Sequence, residues 1–366
     1  MLAPGVNAPP CRSVLVVQKN NIGDLVLATP FLRELRRRMP QARIDVLCNS
    51  YNATVLDGNR DVDRVFVHAK RKHYAGRTGI VRRCLAACAQ TWRMRQAHYD
   101  DVFLLSGRFS PRYALTARLV APARVVGFSD GADARARAIL DVAVEGDAIA
   151  ARHVVERSLH LLWAAFPAMP AVPAHPRTHP CRVFPDRNLR NQVRGELLTR
   201  GWRRDRPTIG LQISARRPRQ RWPLKNFAAL ARAINVRLRM NCLILWAPGN
   251  PLQPTHPGDD ARADALDAMC RGFVALRYRT PRLADLIAAF ALADVVVSAD
   301  GGAMHLAAAC GKPVVALFGD SDPSIWHPWS DSFALIRSDA RDVASVEPER
   351  VLGELSKLLE ICNAGT

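Results

Sequence analysis

The chain has 366 residues, 49% hydrophobic and 23% charged, with 52 Lys and Arg against 33 Asp and Glu for a formal net charge of +19. That length exceeds what one hydrophobic core ordinarily supports, so two domains are expected, and no apolar run reaches the roughly 18 residues a membrane-spanning helix needs. The excess cation points to anionic partners; without a helix-turn-helix signature or an aromatic stacking module, nucleic acid is set aside in favour of a membrane surface or phosphorylated substrates.

The amino terminus, MLAPGVNAPPCRSV, offers no apolar h-region, so no secretory signal is expected. The first half then alternates short apolar runs with amphipathic stretches. Strands are expected at 13–18, 42–48, 62–68, 99–105 and 123–128, and helices at 25–39, 79–97, 111–120 and 153–166. This alternation predicts a parallel sheet covered by helices on both faces. Composition changes at 166–185, where six prolines in twenty residues exclude a long helix or a central strand and mark a domain boundary.

The second half restarts the rhythm. Strands are expected at 208–213, 242–247, 273–276, 294–298 and 313–319. Helices are expected at 225–238, 259–270, 303–310 and 347–360, with a further one capped by Thr280, opened by Pro281 and ending at Ala293. The resulting fold class is α/β, and ligands in such sheets sit at the carboxyl ends of strands.

Nine cysteines are scattered through the chain, with Cys48, Cys242 and Cys310 inside apolar runs. They read as reduced core residues of a cytoplasmic protein. Cys84 and Cys88 lack a second pair of ligands nearby, so no metal site is expected.

Two strand-to-helix loops can carry chemistry. In DVVVSADGGAMHLAAAC, Asp300, Gly301 and Gly302 lead from a strand into a short helix with His305 in its first turn. Paired glycines and a helix start would offer backbone N–H groups to a phosphate. The plain alternative is a tight turn, a capping Asp300 and a core histidine. In VVQKNNIGDLVLATP, Gly23 would permit an unusual backbone angle and Asp24 would start a helix. Asp24 could serve as a general base, or simply stabilise the helix N-terminus.

These residues carry a resemblance, strongest at 13–40, at 207–227 (TIGLQISARRPRQRWPLKNF) and at 294–329. The chain resembles glycosyltransferase family 9, the bacterial lipopolysaccharide heptosyltransferases. The resemblance implies a GT-B fold of two Rossmann-like domains facing across a central cleft. Residues 1–170 would form the acceptor domain, 171–206 a proline-rich connecting segment and 207–345 the nucleotide-sugar domain. Residues 346–366 would form a helix packing back on the first domain.

It also implies a reaction: inverting, metal-independent transfer of a heptose from ADP-heptose to the lipopolysaccharide inner core, without a cofactor. Asp24 would be the base, supported by Gly23. Asp300, Gly301, Gly302 and His305 would meet the donor diphosphate, with Gly301 standing where the family usually has a hydroxyl residue. Gln220 stands where related enzymes often have a lysine, and Ser214 and Arg221 are the preferred further donor contacts, with Arg216, Arg217 and Arg219 close by. The basic run Lys70, Arg71, Lys72, Arg77, Arg82, Arg83, Arg93 and Arg95 would dock an anionic lipid-linked acceptor at the inner leaflet, or be a solvated face. A different donor or acceptor on the same scaffold, or a non-catalytic relative, are the alternatives.

Overall fold

The computed structural model describes residues 12–68, 76–131, 134–252 and 258–364. The chain divides into two compact units, the first ending at His179 and the second starting at Pro180.

The first unit runs β1 (Ser13–Val17), α1 (Ile22–Val26), α2 (Thr29–Arg38), β2 (Arg43–Asn49), β3 (Arg64–His68), α3 (Gly76–Arg95), β4 (Asp101–Leu104) and α4 (Pro111–Val120). It closes with β5 (Arg124–Ser129), α5 (Ala134–Arg137), β6 (Val142–Glu145) and α6 (Val154–Ala165). The sheet order is β3-β2-β1-β4-β5-β6, all parallel, with Val14 opposite Ile44 on one side of β1 and Asp101 on the other. Val14 to Val17 are wholly buried, as a central strand covered on both faces must be. Leu15, Val17, Val102 and Leu104 pack with Tyr113, Ala117 and Val120 of α4 on one face, while Phe31 of α2 meets Phe103 edge-on at 5.2 Å.

Two expectations change here. The single helix expected at 25–39 is two, because Pro30 has no N–H to continue the ladder through the α1–α2 junction. The first domain extends past the expected 170 to His179. Arg38 donates to the Pro170 carbonyl at 2.7 Å, and the His179 ring lies 3.7 Å from the buried carboxylate of Glu34. The front of the proline-rich segment is thereby fastened to α2.

The second unit runs α7 (Arg187–Thr199), β7 (Thr208–Gln212), α8 (Leu224–Arg232), β8 (Asn241–Trp246), α9 (Asp260–Met269), β9 (Ala275–Arg279) and α10 (Leu283–Phe290). It ends with β10 (Val295–Ala299), α11 (Gly302–Ala309), β11 (Val314–Phe318), α12 (Pro323–Trp326), β12 (Phe333–Arg337) and α13 (Pro348–Ala364). Its sheet, β12-β11-β10-β7-β8-β9, is also wholly parallel. Counted within each unit, both sheets have the strand order 3-2-1-4-5-6 of doubly wound dinucleotide folds.

Helix α7 lies inside the stretch expected to be connecting chain and packs on α10. Helix α10 starts at Leu283 rather than Pro281. Asp285 accepts the Arg282 N–H at 2.9 Å, while Thr280 donates to the Trp246 carbonyl instead of capping. Val351, Leu352, Leu355, Leu358 and Leu359 of α13 belong to the core of the second unit. Among the described residues no helix is long and apolar enough to cross a membrane.

Candidate functional site

In each sheet the order reverses beside a central strand, between β1 and β4 in the first unit and between β7 and β10 in the second. Loops leaving the carboxyl ends of those strands are where a ligand crevice opens. Both candidate loops lie there.

In the first unit the loop from β1 to α1 is held at the carbonyls of Lys19, Asn20 and Asn21. The amide of Asn49 donates to the carbonyls of Lys19 and Asn20, Tyr51 Oη–H donates to Asn20, and Asn52 Nδ2 lies 3.2 Å from the carbonyls of Asn20 and Asn21. Asn49 and Asn52 are buried, and an irregular loop entering a core needs such donors because it makes no ladder of its own. On the other side Tyr113 Oη accepts the Lys19 N–H at 2.6 Å and sits 3.1 Å from the side-chain oxygens of Gln18 and Asn20. Gln18 Nε2 reaches the Leu105 carbonyl at 2.7 Å and ties the end of β1 to β4.

This clamp sets Asp24. The residue is half-buried at the third position of α1, and its Oδ2 accepts the Asn21 N–H at 2.9 Å. The carboxylate therefore stabilises the helix start, and its charge helps burial push the Tyr113 phenol well above its ordinary range. Lys19 lies over the Tyr113 ring and donates to Thr116 Oγ1 at 2.7 Å; burial and the charge of Arg112 push its ammonium down to about 8. Gly23 is buried and helical and is absent from the glycines with positive φ, so the unusual backbone angle expected of it is not found. The helix simply begins at Ile22, two residues before Asp24.

In the second unit Asp300 is buried between three segments. Its Oδ2 accepts from Gln220 Nε2 at 3.0 Å and from Ser321 Oγ, and its backbone N–H reaches the Leu317 carbonyl at 2.9 Å. Burial raises the carboxyl, against the pull of the Ser321 hydroxyl, the nearby Arg217 charge and the Gln220 amide. The turn at Pro218–Gln220 lies so close to the strand end after β11 that a Cβ on Gly319 would stand 2.7 Å from the Arg219 carbonyl. Gly301 follows Asp300 with φ +151°, a conformation nearly confined to glycine, and the amides of α11 begin at Gly302. His305 is buried; burial and the neighbouring His327 push it down to about 3, and its Nδ1 has no hydrogen-bond partner among the described residues. The ring is neutral, so it can offer one N–H and no charge.

The family model for glycosyltransferase family 9 (heptosyltransferase) matches residues 88–355. The chain belongs to glycosyltransferase family 9. It is a glycosyltransferase, and the α/β fold of two Rossmann-like units is that of the GT-B class. It is 25% identical over 377 residues to lipopolysaccharide heptosyltransferase 2 of Escherichia coli K12, covering 94% of this chain and 98% of that one. Among solved structures it resembles a family 9 glycosyltransferase from Veillonella parvula, with TM-score 0.79, 19% identity and coverage of 95% and 97%. It also resembles the E. coli ADP-heptose LPS heptosyltransferase II, with TM-score 0.73, 20% identity and coverage of 96% and 99%.

The transferase thus gathers Asp300, Gly301, Gly302 and His305 at one strand end, and the other expected donor residues are disposed differently. Ser214 Oγ accepts the Ala247 N–H at 3.0 Å, linking the ends of β7 and β8. Arg221 is turned to the buried Asp259, with Nη1 2.6 Å from Oδ1 and Arg262 Nε 3.5 Å from the same oxygen. Trp222 is a packing residue, buried edge-on against Phe227 with its indole N–H on the Val346 carbonyl. Lys70, Arg71 and Lys72 lie outside the described residues. Among the described residues no cluster of three or more His, Cys, Asp or Glu is arranged to hold a metal.

Sequence reasoning did not single out Tyr113, Asn49, Tyr51, Asn52, Ser321 or Asp259. A faint signal existed for the asparagines, since Asn49 and Asn52 sit where a buried strand ends and a loop must be paired.

A cavity of about 640 Å³, open to solvent, is at the β9 edge of the second sheet and includes Arg200, Trp246, Arg277, Arg279 and Arg282 in its lining. Each of these arginines is ion-paired, to Glu196, Asp264, Asp260 and Asp285 among others. None of the residues expected at the donor site lines it.

Proposed function

We propose that this enzyme transfers a heptose from ADP-heptose to the inner core of lipopolysaccharide at the cytoplasmic face of the inner membrane, with inversion and without a metal. The observation that carries this reading is the placement of Asp24. Its carboxylate accepts the Asn21 N–H at the end of a loop whose backbone is held by Tyr113, Asn49, Tyr51 and Asn52, in the unit assigned to the acceptor (residues 1–170 as expected). Asp24 takes the proton of the acceptor hydroxyl as that oxygen attacks the anomeric carbon of the donor. The bond to the diphosphate breaks on the opposite face, and ADP leaves. The N-terminal amides of α11 after Gly301, in the unit assigned to the donor (207–345), stabilise the charge that develops on the diphosphate. Arg217, whose charge reaches Asp300, and Arg219 in the same exposed turn supply cation where the family lysine is replaced by Gln220. The names of the relatives, a lipopolysaccharide heptosyltransferase and an ADP-heptose LPS heptosyltransferase, support the donor and the acceptor class.

The test is Asp24→Asn. ADP release in the presence of ADP-heptose and a heptose-free lipopolysaccharide acceptor should fall by about 10²-fold or more. The rise in melting temperature on adding ADP should persist. Equal turnover in the variant removes Asp24 as the base. A second reading, a different nucleotide sugar on the same scaffold, is favoured by Gly301 and Gln220 standing where the family usually has a hydroxyl and a lysine. Stabilisation by UDP in preference to ADP would decide for it.

A further inference from the structure

We propose that the α3–α4 flank of the first unit docks on an anionic lipid bilayer. Its purpose rests on the lipid-linked acceptor of the preceding reading, while its evidence is separate. On α3, Val81, Leu85 and Trp92 are 58%, 65% and 63% exposed, and exposed Cys88 lies between them. The steps of four, three and four residues put all four within one stripe at about 100° per residue. On α4, Leu115 and Leu119, one turn apart, are 58% and 47% exposed, while Tyr113, Ala114, Ala117 and Val120 face the core. The helices pack on each other, and Arg95 Nη1 reaches the Leu119 carbonyl at 3.5 Å. A tryptophan and four aliphatic side chains on adjacent helices are more apolar surface than a lone exposed leucine, and they call for a partner.

Charge identifies that partner. Helices α3 and α4 contain seven arginines (77, 82, 83, 93, 95, 112 and 118) and no aspartate or glutamate. Among the described residues, Arg93, Arg95, Arg112 and Arg118 form no ion pair, in contrast to the β9 groove, where each guanidinium has its carboxylate. The flank therefore joins an apolar stripe with an interfacial aromatic to uncompensated cation, the combination that lies in the headgroup region of an anionic leaflet. A nucleic acid would leave the leucine and tryptophan surface unused, and a second copy would bring like charge against like.

The experiment is flotation of the full-length protein with vesicles of phosphatidylcholine plus phosphatidylglycerol and, separately, of phosphatidylcholine alone, with neither donor nor acceptor present. Binding should be about tenfold or more stronger to the anionic vesicles. The Leu85→Glu/Trp92→Glu variant, and independently Leu115→Glu/Leu119→Glu, should lose about tenfold while keeping the wild-type melting temperature and its rise with ADP. Wild-type protein that ignores anionic vesicles, or variants that float equally well, overturn the proposal. So does concentration-dependent dimerisation in sedimentation velocity that these same variants abolish, because a second copy then covers the flank. Since the vesicles carry no acceptor, a negative result leaves the transfer reading standing, and a failed turnover assay leaves this one standing.

Discussion

Gln220 Nε2 donates to Asp300 Oδ2 at 3.0 Å, and both side chains are buried. The amide at the position of the family lysine is therefore turned inward, onto the aspartate expected to meet the donor. Ser321 donates to the same oxygen, so one carboxylate joins the turn before α8, the start of α11 and the loop after β11. The loop from β10 to α11 is thus shaped by a buried polar knot, in which Asp300 Oδ2 is taken up by protein donors.

Removing the acceptor should be costly on this account. Asp300→Ala leaves a buried amide and a hydroxyl unpaired, and the expected loss of unfolding free energy is about 2–4 kcal/mol. Gln220→Met, which removes a donor from a carboxylate that keeps Ser321, should cost about 1–2 kcal/mol. Urea unfolding followed by far-UV circular dichroism checks both. A loss under ~0.5 kcal/mol in Asp300→Ala would mean that the knot is open in solution.

Gly301 gives the second prediction. No heavy atom lies within 4 Å of a Cβ built there, so space is available, yet φ is +151°. Gly301→Ser, which restores the hydroxyl usual in the family, should therefore lower stability by about 1–3 kcal/mol through backbone strain alone. ADP affinity, measured by calorimetry, should not improve. Tighter ADP binding at unchanged stability would show that the loop takes up another backbone conformation when occupied.

Arg221 separates structure from donor contact. Its guanidinium is 2.6 Å from an Asp259 carboxylate with no exposed surface, and Arg262 approaches that oxygen only to 3.5 Å. Arg221→Ala should cost about 2–4 kcal/mol, since it leaves a buried charge under-compensated. Asp259→Asn in the same chain should return part of that loss. If Arg221 also grips the diphosphate, the single variant will weaken ADP by more than about tenfold, beyond what its stability loss explains.

What could be read from residues alone follows from what each signal measures. The central strands were legible because a strand buried on both faces is a continuous apolar run, as in VLVV and TIGLQ. Of the four edge strands, β3 and β9 overlap expected strands, while β6 and β12, VAVE and FALIR, are partly buried and give no strand signal of their own. Helix α7 was missed because the prolines before it set the tone of the whole segment. Asp24 and Asp300 were both legible as acids at strand ends. Which of them faces outward was not, because an aspartate buried against Gln220 and one half-buried over Asn21 look alike in a motif. The direction of a side chain depends on partners 80 residues away, and no local pattern carries that.

His305 provides the pH dependence. In the folded chain burial and the nearby His327 push its ring down from the ordinary 6.5 to about 3. The unfolded chain takes up a proton near 6.5, and the folded chain does not do so until about 3. Below pH 6.5 the unfolded state therefore binds more protons, and stability falls as pH drops through the window from 6.5 toward 3; above 6.5 this group contributes no slope. His160 and His179 are also pushed down by burial, so wild-type acid sensitivity alone does not isolate the site. The difference between wild type and His305→Gln does, because the amide carries no titratable proton. Between pH 6.5 and pH 5 the wild type should lose on the order of 2 kcal/mol more than the variant, at about 1.36 kcal/mol per unit. Urea melts at those two pH values measure this. Equal losses would mean that His305 is already protonated or hydrated in the folded state, and its ring would then offer a donor phosphate a charge as well as an N–H.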